Sequence, residues 1–106
     1  MRTIEFEILL SLATGVRHGY AIIQDIESRR NDGESIETGT LYRALQRLVD
    51  GELVSHTEPR RTESDDERRR YYDITVAGRR AATAEAKRLA ALVDGARDAR
   101  LLPRGA

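Results

Sequence analysis

The chain has 106 residues, 40% of them hydrophobic and 34% charged, with 18 basic residues against 18 acidic ones and no net charge. That length suits one small domain whose modest core gains from burying a face against a second copy. Zero net charge argues against a nonspecific polycation, the lack of Cys excludes disulfides, zinc knuckles and thiol catalysis, and no apolar run is long enough to span a bilayer.

The N-terminus, MRTIEFE, has acidic residues inside its apolar stretch, unlike a signal peptide, so a cytoplasmic protein without membrane association is expected. All but one of the 18 basic residues are arginine, Lys87 being the exception. Arginine suits phosphate and guanine contacts, and a GC-rich genome gives the same bias.

In chain order, residues 3–14 read as a first helix. Phe6, Leu10 and Ala13 fall on one side, while Ile4, Ile8, Leu9 and Leu12 occupy much of the rest. A helix this apolar is covered on more than one side, and a partner subunit is the expected second cover. Gly15 is the expected stop. A second helix opens at Gly19-Tyr20 and runs to about Arg30, with Tyr20, Ile22, Ile23 and Ile26 as its buried stripe. Asn31-Asp32-Gly33-Glu34 has turn chemistry, and Ile36 packs back ahead of the third helix.

The third helix is TGTLYRALQRLVD, residues 38–50, with Thr38 as its expected N-cap and Gly51 as its end. Leu41, Ala44, Leu45, Leu48 and Val49 span roughly 140° of the wheel. Arg43, Gln46, Arg47 and Asp50 face the other way, and Tyr42 lies on the seam. Residues 53–57 and 71–75 are strand candidates joined by a long charged connection, which predicts a hairpin. The last helix starts after Thr75 and reaches about Leu101. Ala81, Ala82, Ala86, Leu89, Leu92, Val93 and Ala96 lie on one side of it, with Glu85 in their midst. Glu85 is either partly exposed at the edge of this stripe or paired across a dimer with Arg88 or another arginine. Its small residues suit close helix packing. The expected fold is mostly helical with a small β-hairpin, in the order α-α-α-β-β-α.

That order is a winged helix-turn-helix arrangement, and the residues within it resemble one family. His18-Gly19-Tyr20 opens the second helix, and Gly39-Thr40-Leu41-Tyr42 lies at the start of the third. Arg47-Leu48 is followed by Gly51-Glu52-Leu53-Val54. The second strand candidate lies within RRYYDIT, residues 69–75, and Gly78-Arg79 comes after it. Over residues 4–80 this combination is similar to PadR-family transcriptional regulators. The resemblance implies a homodimeric repressor of the short subgroup, with a single helix after the wing. It further implies that the third helix enters the major groove of a double-stranded DNA operator, that the wing lies along the backbone, and that the first and last helices build the dimer. Residues 1–75 are then the DNA-binding domain, 76–102 the dimerisation helix and 103–106 a frayed tail. Ile4, Phe6, Leu10, Ala82, Glu85, Ala86, Leu89, Leu92, Val93 and Ala96 form the expected dimer face.

The residue chemistry fits such a role. A helix N-terminus meets phosphate oxygens well. Thr38 and Thr40 add hydroxyls and Gly39 permits close approach. Arg43 and Arg47 can reach phosphate or guanine, and Gln46 can pair with adenine. A solvated amphipathic helix is the plain alternative. Tyr42 covers the core edge and offers its hydroxyl to phosphate, and Tyr20 is either core or a second phosphate contact. In the wing, Arg60, Arg61, Arg68, Arg69 and Arg70 are matched by Glu58, Glu63, Asp65, Asp66 and Glu67. The loop is either a solvated set of ion pairs or one whose basal arginines touch DNA while the acidic tip projects away. With two histidines in all, His18 reads as a turn residue rather than a metal ligand. No cofactor, metal or catalytic constellation is expected. A winged-helix module for protein contacts is the alternative function, and a small-molecule effector of unknown identity is possible from the resemblance.

Overall fold

The computed structural model describes residues 1–57 and 70–103. Its elements are α1 (Thr3–Leu12), β1 (Arg17–His18), α2 (Gly19–Arg29), α3 (Thr38–Asp50), β2 (Val54–Thr57), β3 (Tyr71–Ile74) and α4 (Val76–Asp98). The winged helix-turn-helix order is present, with one addition. β1 pairs antiparallel with β3, so the sheet has three strands in the order β1-β3-β2. A two-residue strand leaves no alternation to read in sequence.

α1 lies at the centre. Ile8, Leu9 and Leu12 are fully buried, covered by α2, α3, α4 and β3. The second cover expected from a partner is thus largely supplied within the chain, leaving Leu10 at 38% exposure on the outside. α1 stops at Leu12, before Gly15. Ile22 and Ile26 of α2 complete the core with Leu41, Ala44, Leu45 and Leu48 of α3, Val54 of β2 and Tyr72 of β3; Ile36 packs against it. Tyr20 does not belong to this core. It is 61% exposed, because it sits about 120° or more around the helix from Ile22 and Ile26.

Three local devices set the helix directions. His18 Nδ1 caps α2 by accepting from the Ala21 N–H at 3.2 Å. Between α2 and α3, Glu27 Oε2 accepts from the Ile36 N–H at 2.8 Å, and Arg30 reaches Glu7 of α1 through two nitrogens at 3.3 and 3.1 Å. Thr75 caps α4 as expected, accepting from the Gly78 N–H at 2.9 Å while its hydroxyl donates to the Glu52 carbonyl at 2.8 Å. α4 keeps Gly95 within it and ends at Asp98, short of Leu101.

α3 ends at its C-cap Gly51 as expected, and the left-handed turn falls one residue later. Gly51 has φ −83°, and it is Glu52, with φ 61°, that turns into the left-handed region. The Leu53 N–H reaches back to the Leu48 carbonyl at 2.9 Å and the Glu52 N–H to Val49 at 3.0 Å, closing a Schellman motif. A side chain in this region is strained, while glycine is not. Glu52→Gly is therefore expected to stabilise the chain by about 0.5 kcal/mol, after the larger unfolded-state entropy of glycine is set against the relief. Urea denaturation measures this, and a lower midpoint would contradict it.

Candidate nucleic-acid interface

α3 seats its apolar side on the core and leaves the rest in solvent. Its N-cap is Glu37, not Thr38, and no side chain caps it. The reason is backbone geometry: Glu37 keeps extended φ/ψ and Thr38 is already helical. Helix termini leave their first N–H groups without intrahelical partners, so this end presents amide donors at the positive pole of the helix. Thr38 and Thr40 are exposed beside it and Gly39 is half-buried.

The outermost row of α3 is Gly39, Arg43, Gln46 and Asp50, opposite the centre of the buried stripe. Arg43 is 66% exposed at its side chain, 3.9 Å from Glu37 and 3.3 Å from Thr40 Oγ1. Gln46 Nε2 donates to Asp50 Oδ1 at 2.8 Å. A Cβ on Gly39 would meet Arg43 Nη1 at 3.1 Å and Glu37 Oε1 at 3.2 Å, both the ends of flexible side chains.

Arg47 stands apart from that row. Although it shares the polar side of α3, it lies on the flank facing α1. There its Nε donates to Glu5 Oε2 at 3.0 Å, and Glu5 also accepts from the Arg2 N–H at 3.1 Å. Burial pushes the Glu5 carboxyl up, but the hydrogen bonds from Arg47 and Arg2 outweigh it and hold the group below the usual carboxylate value.

Tyr42 occupies the other flank, against α2. It is 43% exposed, and its ring end covers Gly19 so closely that a Cβ there would fall 2.1 Å from Tyr42 Oη. This explains the paired glycine and tyrosine in the two motifs: the tyrosine lies where a side chain on residue 19 would be. Around this corner His18 stacks with Tyr20 at 6.5 Å and meets Tyr71 edge-on at 5.6 Å. Burial, and then the neighbouring Tyr42, push the Tyr72 phenol up, with Arg70 opposing. Sequence reasoning missed the contact of Tyr71 with His18 and the role of Gly19; the signal available was the presence of a glycine and a tyrosine in both motifs. Gly19→Ala is expected to cost about 2 kcal/mol by displacing Tyr42. In a Tyr42→Ala background the same change is expected to be nearly neutral. Two denaturation curves decide it, and equal costs in both backgrounds would refute the contact.

Of the wing arginines, Arg70 is exposed just before β3. Arg60, Arg61, Arg68 and Arg69, and the acidic tip, lie outside the described residues. On α4, Glu85 is buried within one chain, and its partner is Arg88 of the same helix, at 2.9 and 2.6 Å. The hydrogen bonds from Arg88 hold its carboxyl below the ordinary value. Glu85 is thus not partly exposed, and within the chain one helical turn brings Arg88 within its reach. Among the other residues expected at the dimer face, Ile4, Phe6, Ala82, Leu89 and Ala96 are half-buried and Ala86 is exposed. Leu92 is 58% and Val93 37% exposed.

Three helices closed by a small antiparallel sheet, with a polar-faced third helix and a long helix after the wing, define a winged helix-turn-helix protein. Residues 8–84 match the transcriptional regulator PadR-like family, and the chain belongs to it. This is a family of transcription regulators, not of enzymes. An uncharacterized protein of Lysinibacillus sphaericus is 38% identical over 63 residues, 59% of this chain and 56% of that protein, so the match spans little more than half of the relative's length. Among solved structures, a PadR family transcription regulator from Clostridium difficile R20291 superposes with a TM-score of 0.77 at 24% identity, over 95% of this chain and 100% of the other. Bacillus subtilis PadR in complex with operator DNA superposes with a TM-score of 0.67 at 19% identity, over 80% of this chain and 47% of the other. Among the described residues, no helix is long and apolar enough to cross a membrane.

Proposed function

We propose that the chain is a homodimeric, sequence-specific repressor that reads a pseudo-palindromic DNA operator with α3. The observation that carries this reading is the outward row of α3, in which Gly39, Arg43 and Gln46 follow an uncapped helix N-terminus. The amides there suit a phosphate. Arg43 suits the O6/N7 edge of guanine and Gln46 the N6/N7 edge of adenine. Tyr20, Tyr42 and Arg70 flank the row and are assigned to backbone phosphates, with Thr38 and Thr40. Arg60, Arg61, Arg68 and Arg69 are given the same role in the wing. The Bacillus subtilis neighbour, solved with operator DNA, supports the reading. The repressor assignment supposes that the operator overlaps the start of the gene it controls.

The apolar side chains left exposed on α4, Leu92 and Val93, and just beyond it, Leu101, together with Leu10 and Phe6 of α1, favour burial against a second copy. Two recognition helices related by a twofold axis would then address half-sites about 34 Å apart. Gel-shift titration against DNA upstream of the chain's own gene and against a scrambled duplex, at increasing salt, tests specificity. Affinity for the upstream fragment is expected to exceed that for the scrambled one and to fall steeply with salt. Equal affinities would overturn the reading. Sedimentation analysis reports the dimer.

A further inference from the structure

We propose that Glu5 of α1 is a positioning residue for Arg47, fixing the direction in which that guanidinium meets DNA. The inference rests on reading α3 as the DNA-contacting helix. The contact joins two elements far apart in sequence and uses one edge of the arginine only. Nε donates to Glu5 Oε2 at 3.0 Å, and the Arg47 side chain makes no other hydrogen bond among the described residues. Neither Nη group makes a hydrogen bond among those residues. The two side chains are 38% and 16% exposed, so the arginine stays reachable while its partner is mostly covered.

The carboxylate is itself held at two points. Oε1 accepts from the Arg2 N–H at 3.1 Å, which anchors it to the first turn of α1. Glu5 therefore does not follow Arg47 if the arginine swings. Arg43, in contrast, has a 3.9 Å approach to Glu37 and a long, exposed bond to Thr40 Oγ1 at 3.3 Å within its own helix, with the Arg43 and Glu37 side chains more than half exposed, and is freer to adapt. A partly exposed ion pair contributes little to stability. Its larger effect is on the arm. A long side chain already held in one geometry loses less rotamer freedom on binding, and an unbonded Nη edge matches the two oxygens of a phosphate. Glu5 thereby makes Arg47 a fixed point that sets the register of α3 in the groove, and correct register raises the preference for operator over other DNA.

The test measures the ratio of affinities for a duplex selected by the wild-type chain from a randomised pool and for a scrambled duplex. Glu5→Ala and Arg47→Lys are each expected to lower this ratio about threefold or more, the size of one modest polar contact. The double variant should fall no further than either single one. Glu5→Gln keeps an acceptor for Nε and is expected to stay within about twofold of wild type. Arg47→Lys preserves the charge but not the fork, so its salt slope should equal that of wild type while its ratio falls. An unchanged ratio in Arg47→Lys overturns the proposal even if Glu5→Ala folds poorly. So does a double variant whose loss is the product of the single losses. A wild-type chain that selects no sequence overturns the DNA reading as well, which separates the two failures.

Discussion

Gly78→Ala is expected to cost about 3 kcal/mol of stability, near the upper end for overpacking a folded core. A Cβ at this position would lie 2.0 Å from the Leu53 carbonyl oxygen and 2.9 Å from Ile74 Cγ1. The oxygen belongs to the backbone and already accepts from the Thr75 N–H at 3.1 Å, so it has no rotamer by which to yield. The first turn of α4 must instead move off the strand, and the Thr75 cap moves with it. Gly95→Ala is the matched control. A Cβ there meets nothing within 4 Å, and in an exposed helix interior alanine is favoured over glycine by roughly 0.8–1 kcal/mol. Urea denaturation of the two variants should move the midpoint in opposite directions. Similar midpoints would mean that the α4 approach is looser than described.

Arg43→Ala is expected to weaken operator binding about 10- to 100-fold while leaving the circular dichroism and the melting curve unchanged, the usual scale for losing one bidentate arginine-to-base contact. The lack of a folding effect follows from its side-chain exposure of 66%. Discrimination at one base pair of each half-site should relax along with affinity. Arg80→Ala is a useful comparison, since this exposed arginine lies on the side of α4 away from the core. It is expected to stay within about twofold of wild type. If Arg43→Ala binds like wild type, the outward row of α3 is a solvated face and the proposed function fails with it.

The legible and illegible parts of this chain divide along physical lines. The apolar period of α3 and the threonine ahead of α4 are strong local signals. The positions of Leu41, Ala44, Leu45 and Leu48 in the core and the cap at Thr75 follow from them directly. β1 was not legible, because two residues hold a strand only through their pairing with Tyr71 and Tyr72. The exposure of Tyr20 follows from its angle on the wheel once the hydrophobicity of the residue type is set aside. Arg47 reads as part of one polar face with Arg43, yet the pairing partner that divides them, Glu5, is 42 residues away. Glu85 is the reverse case. Its partner in the chain, Arg88, is one of the arginines the sequence offers and lies one turn along the same helix.

The joint between α3, β2 and α4 has a mechanical consequence. Thr75 bonds to both Glu52 and Leu53, and Gly78 lies against the same carbonyl, so the root of α4 is clamped to the end of α3. A 23-residue helix projecting from that clamp is about 34 Å long. Tilting it by about 5° moves its far end by about 3 Å. The helix is therefore a lever whose fulcrum is Thr75: whatever grips the far end sets the attitude of α3, and small changes of angle at the root are magnified into displacements of a few ångströms at the tip.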